Sequence, residues 1–288
     1  MAETEEQTGY LELPQGRIFY RIFGKPGKMP LLVLHGGPGG TSDYLVPFKQ
    51  LADERQVIIY DQFGSGRSDR LHDPRYWTVD YFVSELGLVR EKLGLKEVHL
   101  FGHSWGTQLA TDYLFEKPLG VKSMIFGDPC ISIPRWIATC EKHLSEMPNN
   151  WGQLILESER TEQTDTDEYK KALAYYKKYY ETRAALPPKS PDSVFGEEVY
   201  NYMWGPTEYT VTGTLKDYDH SERLKEIKLP ALFICGRNDS ASPEDCKYYQ
   251  SLMPGSELKV FENSAHFPFL EEPQLFLETL RDFLRRND

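Results

Sequence analysis

Cysteine is scarce in this chain. Only Cys130, Cys140, Cys235 and Cys246 occur in 288 residues, with no C-x-x-C pair and no Cys/His spacing of a metal site. That excludes a disulfide-stapled scaffold and a structural zinc centre, and the expectation is free thiols, with Cys235 buried in a strand. Long apolar runs are missing too; none approaches the roughly 18 residues needed to span a bilayer. Positive charge is in deficit, 33 Lys plus Arg against 44 Asp plus Glu, giving a net charge of −11. Without a basic stripe the chain has no means of neutralising a phosphate backbone, so nucleic-acid binding is excluded and anionic membranes hold no attraction for it. The opening Met1-Ala2-Glu3-Thr4-Glu5-Glu6 is acidic where a secretory leader is basic. These absences together point to a soluble cytoplasmic protein.

What is present is 40% hydrophobic residues in a chain long enough for one large α/β domain. Arg17-Ile18-Phe19-Tyr20-Arg21-Ile22 alternates as a half-exposed strand. Leu31-Leu32-Val33-Leu34 and Val57-Ile58-Ile59-Tyr60 are continuous apolar runs, as in strands covered on both faces, and 98–101 and 123–126 extend the series. Between them, Val79, Phe82, Val83, Leu86, Val89 and Leu93 fall at helical spacing, and 109–115 begins another helix. Alternation of this kind implies a mostly parallel central sheet with helices on both faces.

From 129 to 228 the pattern turns charged, aromatic and helical, broken by Pro187-Pro188, Pro191 and Gly205-Pro206. Tyr169, Leu173, Tyr176 and Tyr180 form a helical stripe, read as packing this segment's own core rather than touching substrate. Alternation resumes at 230–236 and 258–261, and 273–285 closes the chain as an amphipathic helix with Leu275, Phe276, Leu280 and Leu284 inward. The expected division is a core over 1–128, an inserted helical cap over 129–228 and the rest of the core over 229–288.

Gly102-His103-Ser104-Trp105-Gly106 follows the apolar run at 98–101 and matches G-x-S-x-G, a strained strand-to-helix turn that exposes a nucleophilic serine. A serine hydroxyl needs a base, itself oriented by an acid. In this architecture the acid and then the histidine follow later strands. Asp239 lies just past the strand ending at Cys235, and His266 just past the strand ending at Phe261. Ser242, with Pro243 behind it, is the better cap of the next helix, which frees Asp239. Asp128, after an earlier strand, is the rival acid; strand order favours Asp239. His99 falls inside a strand, and His72, His143 and His220 are read as lacking a matching acid. His35-Gly36-Gly37-Pro38-Gly39-Gly40 follows the strand at 31–34, where one oxyanion N–H is expected from Gly37 and the other from Trp105. The glycine run has neither the Lys-Ser/Thr ending of a P-loop nor a G-x-G-x-x-G order.

With these residues assembled, the chain resembles the prolyl aminopeptidase (proline iminopeptidase) family of α/β-hydrolases. The marks are His35-Gly36-Gly37-Pro38-Gly39, Asp61-Gln62-Phe63-Gly64-Ser65-Gly66-Arg67-Ser68 and Gly102-His103-Ser104-Trp105-Gly106, followed by Asp239 and His266. Its length and cap are similar to the family's monomeric, tricorn-interacting branch. The resemblance implies an α/β-hydrolase fold with an inserted helical cap. It also implies release of an N-terminal residue, preferentially proline, from short peptides through an acyl-enzyme on Ser104, with no metal or cofactor. In the family's cap a Gly-Pro-x-Glu-Tyr/Phe segment supplies a carboxylate for the substrate amine. Here it reads Gly205-Pro206-Thr207-Glu208-Tyr209, making Glu208 and, beside the serine, Gly36 the substrate-binding candidates. The family often has a second Glu after the catalytic Asp; Ser240 stands there instead, with Glu244 on the following helix as a stand-in. That departure keeps open an amidase or esterase acting on amino-acid amides, N-acyl amino acids, lactones or small esters. A catalytically silent binding module of the same fold is the third reading.

Overall fold

The computed structural model describes residues 5–288; most of the acidic opening stretch lies outside the described residues. Its strands are β1 (Glu6–Leu13), β2 (Gly16–Phe23), β3 (Lys28–Leu34), β4 (Arg55–Tyr60), β5 (Val98–His103), β6 (Val121–Gly127), β7 (Ala231–Gly236) and β8 (Glu257–Phe261). They form one sheet in the order β1-β2-β4-β3-β5-β6-β7-β8. β1 and β2 make an antiparallel hairpin whose second strand meets β4 antiparallel, and the remaining pairings are parallel. The fold is therefore the α/β architecture expected, with a mostly parallel sheet. β1 is absent from the sequence reading because it is a largely polar edge strand, exposed at Glu6, Gln7, Thr8, Tyr10 and Glu12, with only Leu11 and Leu13 as an apolar alternation to announce it.

Alternation of side chains along each strand divides the interior into two layers. Leu32 and Leu34 of β3 join Leu100, Met124 and Phe233 on one face, against helices α1 (Val79–Lys92) and α2 (Trp105–Phe115). Leu31 and Val33 join Val57, Ile59, Phe101, Ile125 and Ile234 on the other. That second layer is closed by helix 273–286, where Phe276, Leu280, Phe283 and Leu284 are buried and Leu275 is 37% exposed. The inward stripe thus runs 276, 280, 283, 284, and Leu275, one position off it, turns toward solvent instead of inward.

Between β6 and β7 the chain makes four helices, α3 (Ile133–Glu146), α4 (Trp151–Arg160), α5 (Asp167–Tyr176) and α6 (Glu197–Met203). Their buried residues, among them Trp136, Ile155, Tyr169, Tyr176, Met203 and Trp204, belong to the same apolar cluster as Leu32 and Leu34. This segment therefore packs as a continuation of the sheet's own core. The last helices are α7 (Pro243–Leu252), α8 (Pro268–Glu271) and α9 (Pro273–Arg286). Among the described residues no helix is long and apolar enough to cross a membrane. Parallel register aligns the strand ends: Leu34 pairs with Gly102, His103 with Gly127, Gly127 with Ile234, and Gly236 with Phe261. The loops that follow β3, β5, β6, β7 and β8 consequently leave the sheet along one edge, where ligands of open α/β sheets bind.

Candidate active site

Ser104 sits between β5 and α2 at φ 55° and ψ −124°, a conformation that side chains adopt only when their surroundings impose it. The flanking glycines show what imposes it. A Cβ on Gly102 would lie 2.4 Å from the Gly106 carbonyl oxygen, and one on Gly106 would lie 2.4 Å from that of Leu34. Only glycine fits either place. Trp105 is the first residue of α2, so its N–H has no partner within the helix and points from the positive end of the helix dipole.

His266 and Asp239 meet as the sequence order implies. His266 Nδ1 donates to Asp239 Oδ1 at 2.8 Å, and His266 shares with Ser104 the lining of one cavity of about 260 Å³. Burial opposes a charge on His266, yet Asp239, helped by Glu208 and Glu181, raises its pKa above the ordinary imidazole value. Burial likewise disfavours the Asp239 carboxylate, but His266 beside it carries its pKa below the usual range. Ser242 caps α7 by accepting the Asp245 N–H at 3.1 Å, so Asp239 is not engaged in capping. Asp128 is also here, fully buried against Asp239. Of the three histidines read as lacking an acid, His72, His143 and His220, two do have one, contrary to the sequence reading. His72 pairs with Glu198 at 2.6 Å and His220 with Asp112 at 2.8 Å. The members of both pairs are distant in sequence, which spacing does not reveal, and neither histidine lines the cavity with Ser104.

The glycine loop after β3 is fixed by side chains that hold no charge. Gln62 N–H donates to His35 Nε2 at 2.9 Å, which leaves Nδ1–H to donate to the Gly36 carbonyl at 2.8 Å. Gln62 also donates to the His35 carbonyl at 3.0 Å and accepts from the Trp105 indole at 2.9 Å, joining this loop to the serine turn. On the other side, the Gly36 N–H donates to Tyr44 Oη at 2.6 Å. The Tyr44 hydroxyl donates to His103 Nδ1 at 2.9 Å, and His103 Nε2–H donates to the His266 carbonyl at 2.8 Å. Burial pushes the His103 pKa down to about 3, so this neutral tautomer is fixed. The run at 61–68 proves to be a brace: Asp61 accepts from Ser42 N–H at 2.7 Å and from Arg67 at 2.9 and 3.0 Å. Gly36 touches the serine directly, since a Cβ there would lie 2.9 Å from Ser104 Cβ.

Acidic groups close the far wall. Glu208 lines the cavity, accepts from the Tyr200 hydroxyl at 2.9 Å, and has its pKa raised by burial. A second, smaller cavity of about 100 Å³ adjoins it, lined by Glu181, Glu208, Asp239, Ser240 and His266 together with Tyr176 and Tyr180. Two of the stripe tyrosines therefore face the site, while Tyr169 is buried and donates to Glu159. Glu181 is the residue that sequence reasoning missed. After α5 the helix widens, with Thr182 N–H donating to the Lys177 carbonyl at 2.8 Å, and that i→i+5 turn delivers Glu181 to the cavity. Its carbonyl accepts the His266 N–H at 2.8 Å, tying the segment to that histidine. Burial, with Glu208 adding to it, raises the Glu181 pKa to about 7. Glu244 does not line this smaller cavity.

Residues 29–273 match the family described as alpha/beta hydrolase fold. A proline iminopeptidase of Heyndrickxia coagulans is 43% identical over 281 residues, which cover 96% of this chain and 98% of that one. One from Clostridioides difficile is 36% identical, covering 97% and 98%. Among solved structures, VinJ superposes with a TM-score of 0.90 at 32% identity, covering 98% and 99%. The proline iminopeptidase of Mycobacterium smegmatis gives 0.88 at 27% identity, covering 98% of each.

Proposed function

This chain belongs to the proline iminopeptidase family of α/β-hydrolases, and from that premise we propose that it is a serine aminopeptidase releasing an N-terminal residue, preferentially proline, from short peptides, with Ser104, His266 and Asp239 as its catalytic triad. The observation that carries this reading is the placing of two carboxyl groups, Glu208 and Glu181, in the cavity wall beside the histidine. An aminopeptidase must anchor a free ammonium group, and a pair of poorly solvated carboxylates does so strongly. Glu181 takes the part that the residue after Asp239 plays elsewhere in the family, which leaves Ser240 free to be a serine. The segment 129–228 acts as the cap, bringing both glutamates to a site otherwise built by the sheet.

The geometry supports the following course. The substrate's ammonium group sits between Glu208 and Glu181, and its carbonyl lies over Ser104. His266 Nε2 takes the proton as Ser104 Oγ attacks, while Asp239 holds the imidazole by Nδ1. The backbone N–H groups of Gly37 and Trp105 receive the oxyanion. His266 then protonates the departing peptide nitrogen, and water, activated by the same histidine, frees the amino acid from the acyl-enzyme. Assays of proline and alanine arylamides beside their N-acylated forms test the reading. Free-amine substrates are expected to turn over faster; equal or faster turnover of the blocked forms would replace the aminopeptidase with an amidase or esterase. Fluorophosphonate labelling that persists in Ser104→Ala would remove Ser104 from the mechanism.

A further inference from the structure

Asp128 borders this site, and the course above leaves it unused. It follows β6 at φ 50° and is completely buried. One of its oxygens, one of Asp239's and a ring nitrogen of His266 all lie within 4.8 Å of one another. Neither Asp128 oxygen has a hydrogen-bond partner of good geometry, and the same holds for Asp239 Oδ2; the backbone N–H groups of Gly236 and Ala241 lie near the two carboxyls and favour their charged forms without meeting that geometry. Asp239 Oδ1 is already engaged with His266. Buried carboxyl oxygens without a donor are costly, and a proton shared between the two carboxyls removes the deficit on both sides.

The charges around the pair leave little choice. His103 Nε2 is 3.5 Å from Asp128 Oδ2, but its proton is given to the His266 carbonyl and the ring is neutral, so it supplies no cation. Cys235 beside Asp128 also disfavours its charge, and the Gly236 N–H favours it. His266 is then the single imidazole available to balance two carboxyls. Two like charges this close and away from water do not both persist.

We infer that Asp128 is a positioning residue that keeps its proton and donates it to Asp239 Oδ2, so that the two carboxyls work as one acid behind His266. This rests on the triad reading above. The donated hydrogen bond fixes the plane of the Asp239 carboxylate with Oδ1 toward the ring, and it lowers the proton affinity of Asp239. The imidazolium formed when Ser104 is deprotonated therefore keeps its Nδ1 proton and its charge, and so stays the stronger acid at Nε2, from which the leaving group takes its proton. Burial first, and then Asp239, lift the Asp128 pKa well above the carboxylate range, while Asp239 stays below it. The two candidate acids of the sequence are in this view partners rather than rivals.

Two variants test this. Asp128→Gly suits the positive φ and removes the donor, whereas Asp128→Asn tolerates the same φ and keeps an N–H donor in its place. The glycine variant is expected to lose about tenfold to a hundredfold in kcat with KM nearly unchanged, and the asparagine variant to recover most of that loss. The infrared difference spectrum of the resting protein, wild type minus Asp128→Asn, should carry the carbonyl stretch of an un-ionised carboxylic acid. This readout needs no substrate, and the protonated Glu85, whose pKa burial raises to about 8, cancels in the subtraction. A difference spectrum without that band overturns the inference, as does an asparagine variant no better than glycine. Fluorophosphonate labelling of the wild-type protein is run alongside: its failure condemns the triad reading, whereas an absent band with labelling intact condemns only the role of Asp128.

Discussion

The carboxyl edge of the sheet and the helical segment inserted between β6 and β7 face the same cavity, but they hold their residues by different means. Along the edge, backbone packs on backbone. A Cβ on Gly106 would meet the Leu34 carbonyl, one on Gly102 would come within 2.4 Å of the Gly106 carbonyl, and one on Gly236 would come within 2.0 Å of the Ala265 carbonyl. Ser104, Asp239 and His266 are thus placed by a frame with almost no room to adjust. In the insertion, Glu208 is held by the Tyr200 hydroxyl and Glu181 by one widened helical turn. Bond making needs placement to a fraction of an ångström, whereas holding a charged amine tolerates more. On the proposed mechanism the division assigns chemistry to the edge and selection to the segment between β6 and β7, so edge substitutions are expected to act on kcat and those in that segment on KM.

The largest expected effect is at the edge. Ser104→Ala should lower kcat by about a millionfold while leaving substrate affinity measurable, as removal of a nucleophile does in comparable triads. Binding of a proline arylamide followed by calorimetry checks the second half; loss of binding along with rate would mean that the serine also builds the subsite. Next comes Asp239→Asn, expected to cost about four orders of magnitude in kcat by favouring the wrong tautomer of His266. Steady-state kinetics on Asp128→Asn provides the contrast. If that variant lost as much as Asp239→Asn, the two carboxyls would have to exchange roles.

The same difference explains what could be read from the sequence. Residues of the edge are announced by glycines, because a strained turn or a close backbone contact admits nothing else, and Gly102, Gly106 and Gly37 mark their neighbours. Strand order then supplies Asp239 and His266. Glu208 was legible only through the resemblance carried by Gly205 and Pro206. Glu181 has no such marker: it ends a turn whose widening leaves no composition signal, and it is brought to Glu208 across 27 residues by tertiary packing alone. Helical periodicity shows the tyrosine stripe but does not tell a buried face from one lining a cavity, so it assigns Tyr176 and Tyr180 to the core alone, whereas both also line the smaller cavity. Leu275 shows the same limit at smaller scale, since in α9 a single step of about 100° separates inside from outside.

Within the insertion, Glu208→Gln is expected to lower kcat/KM for a proline arylamide by about a hundredfold, the usual cost of unpairing a buried charge, with most of the change in KM. An analogue in which the pyrrolidine nitrogen is replaced by carbon should show almost no change. Equal losses on both substrates would mean that Glu208 supports the cap's shape rather than the amine, and would erase the division drawn above.

The smallest effect sharpens that division most finely, because it separates the two glutamates by their protons. A carboxyl group carries its charge above its pKa, and Glu181 has a pKa of about 7 through burial and the nearness of Glu208. As pH falls through 7, Glu181 takes up a proton and loses its hold on the ammonium group, so KM for free-amine substrates should rise, by at most about tenfold per unit. His266 titrates nearby and affects every substrate, so the informative quantity is the ratio of kcat/KM for the proline arylamide to that for its carbocyclic analogue, in which the histidine cancels. Between pH 8 and pH 6 the ratio should fall in the wild type and stay level, at a lower value, in Glu181→Gln. A ratio that falls equally in both would transfer the titration to Glu208, whose pKa burial also raises. The insertion would then hold the amine through one carboxylate, and the edge and the insertion would differ in rigidity but not in the number of groups each commits to the substrate.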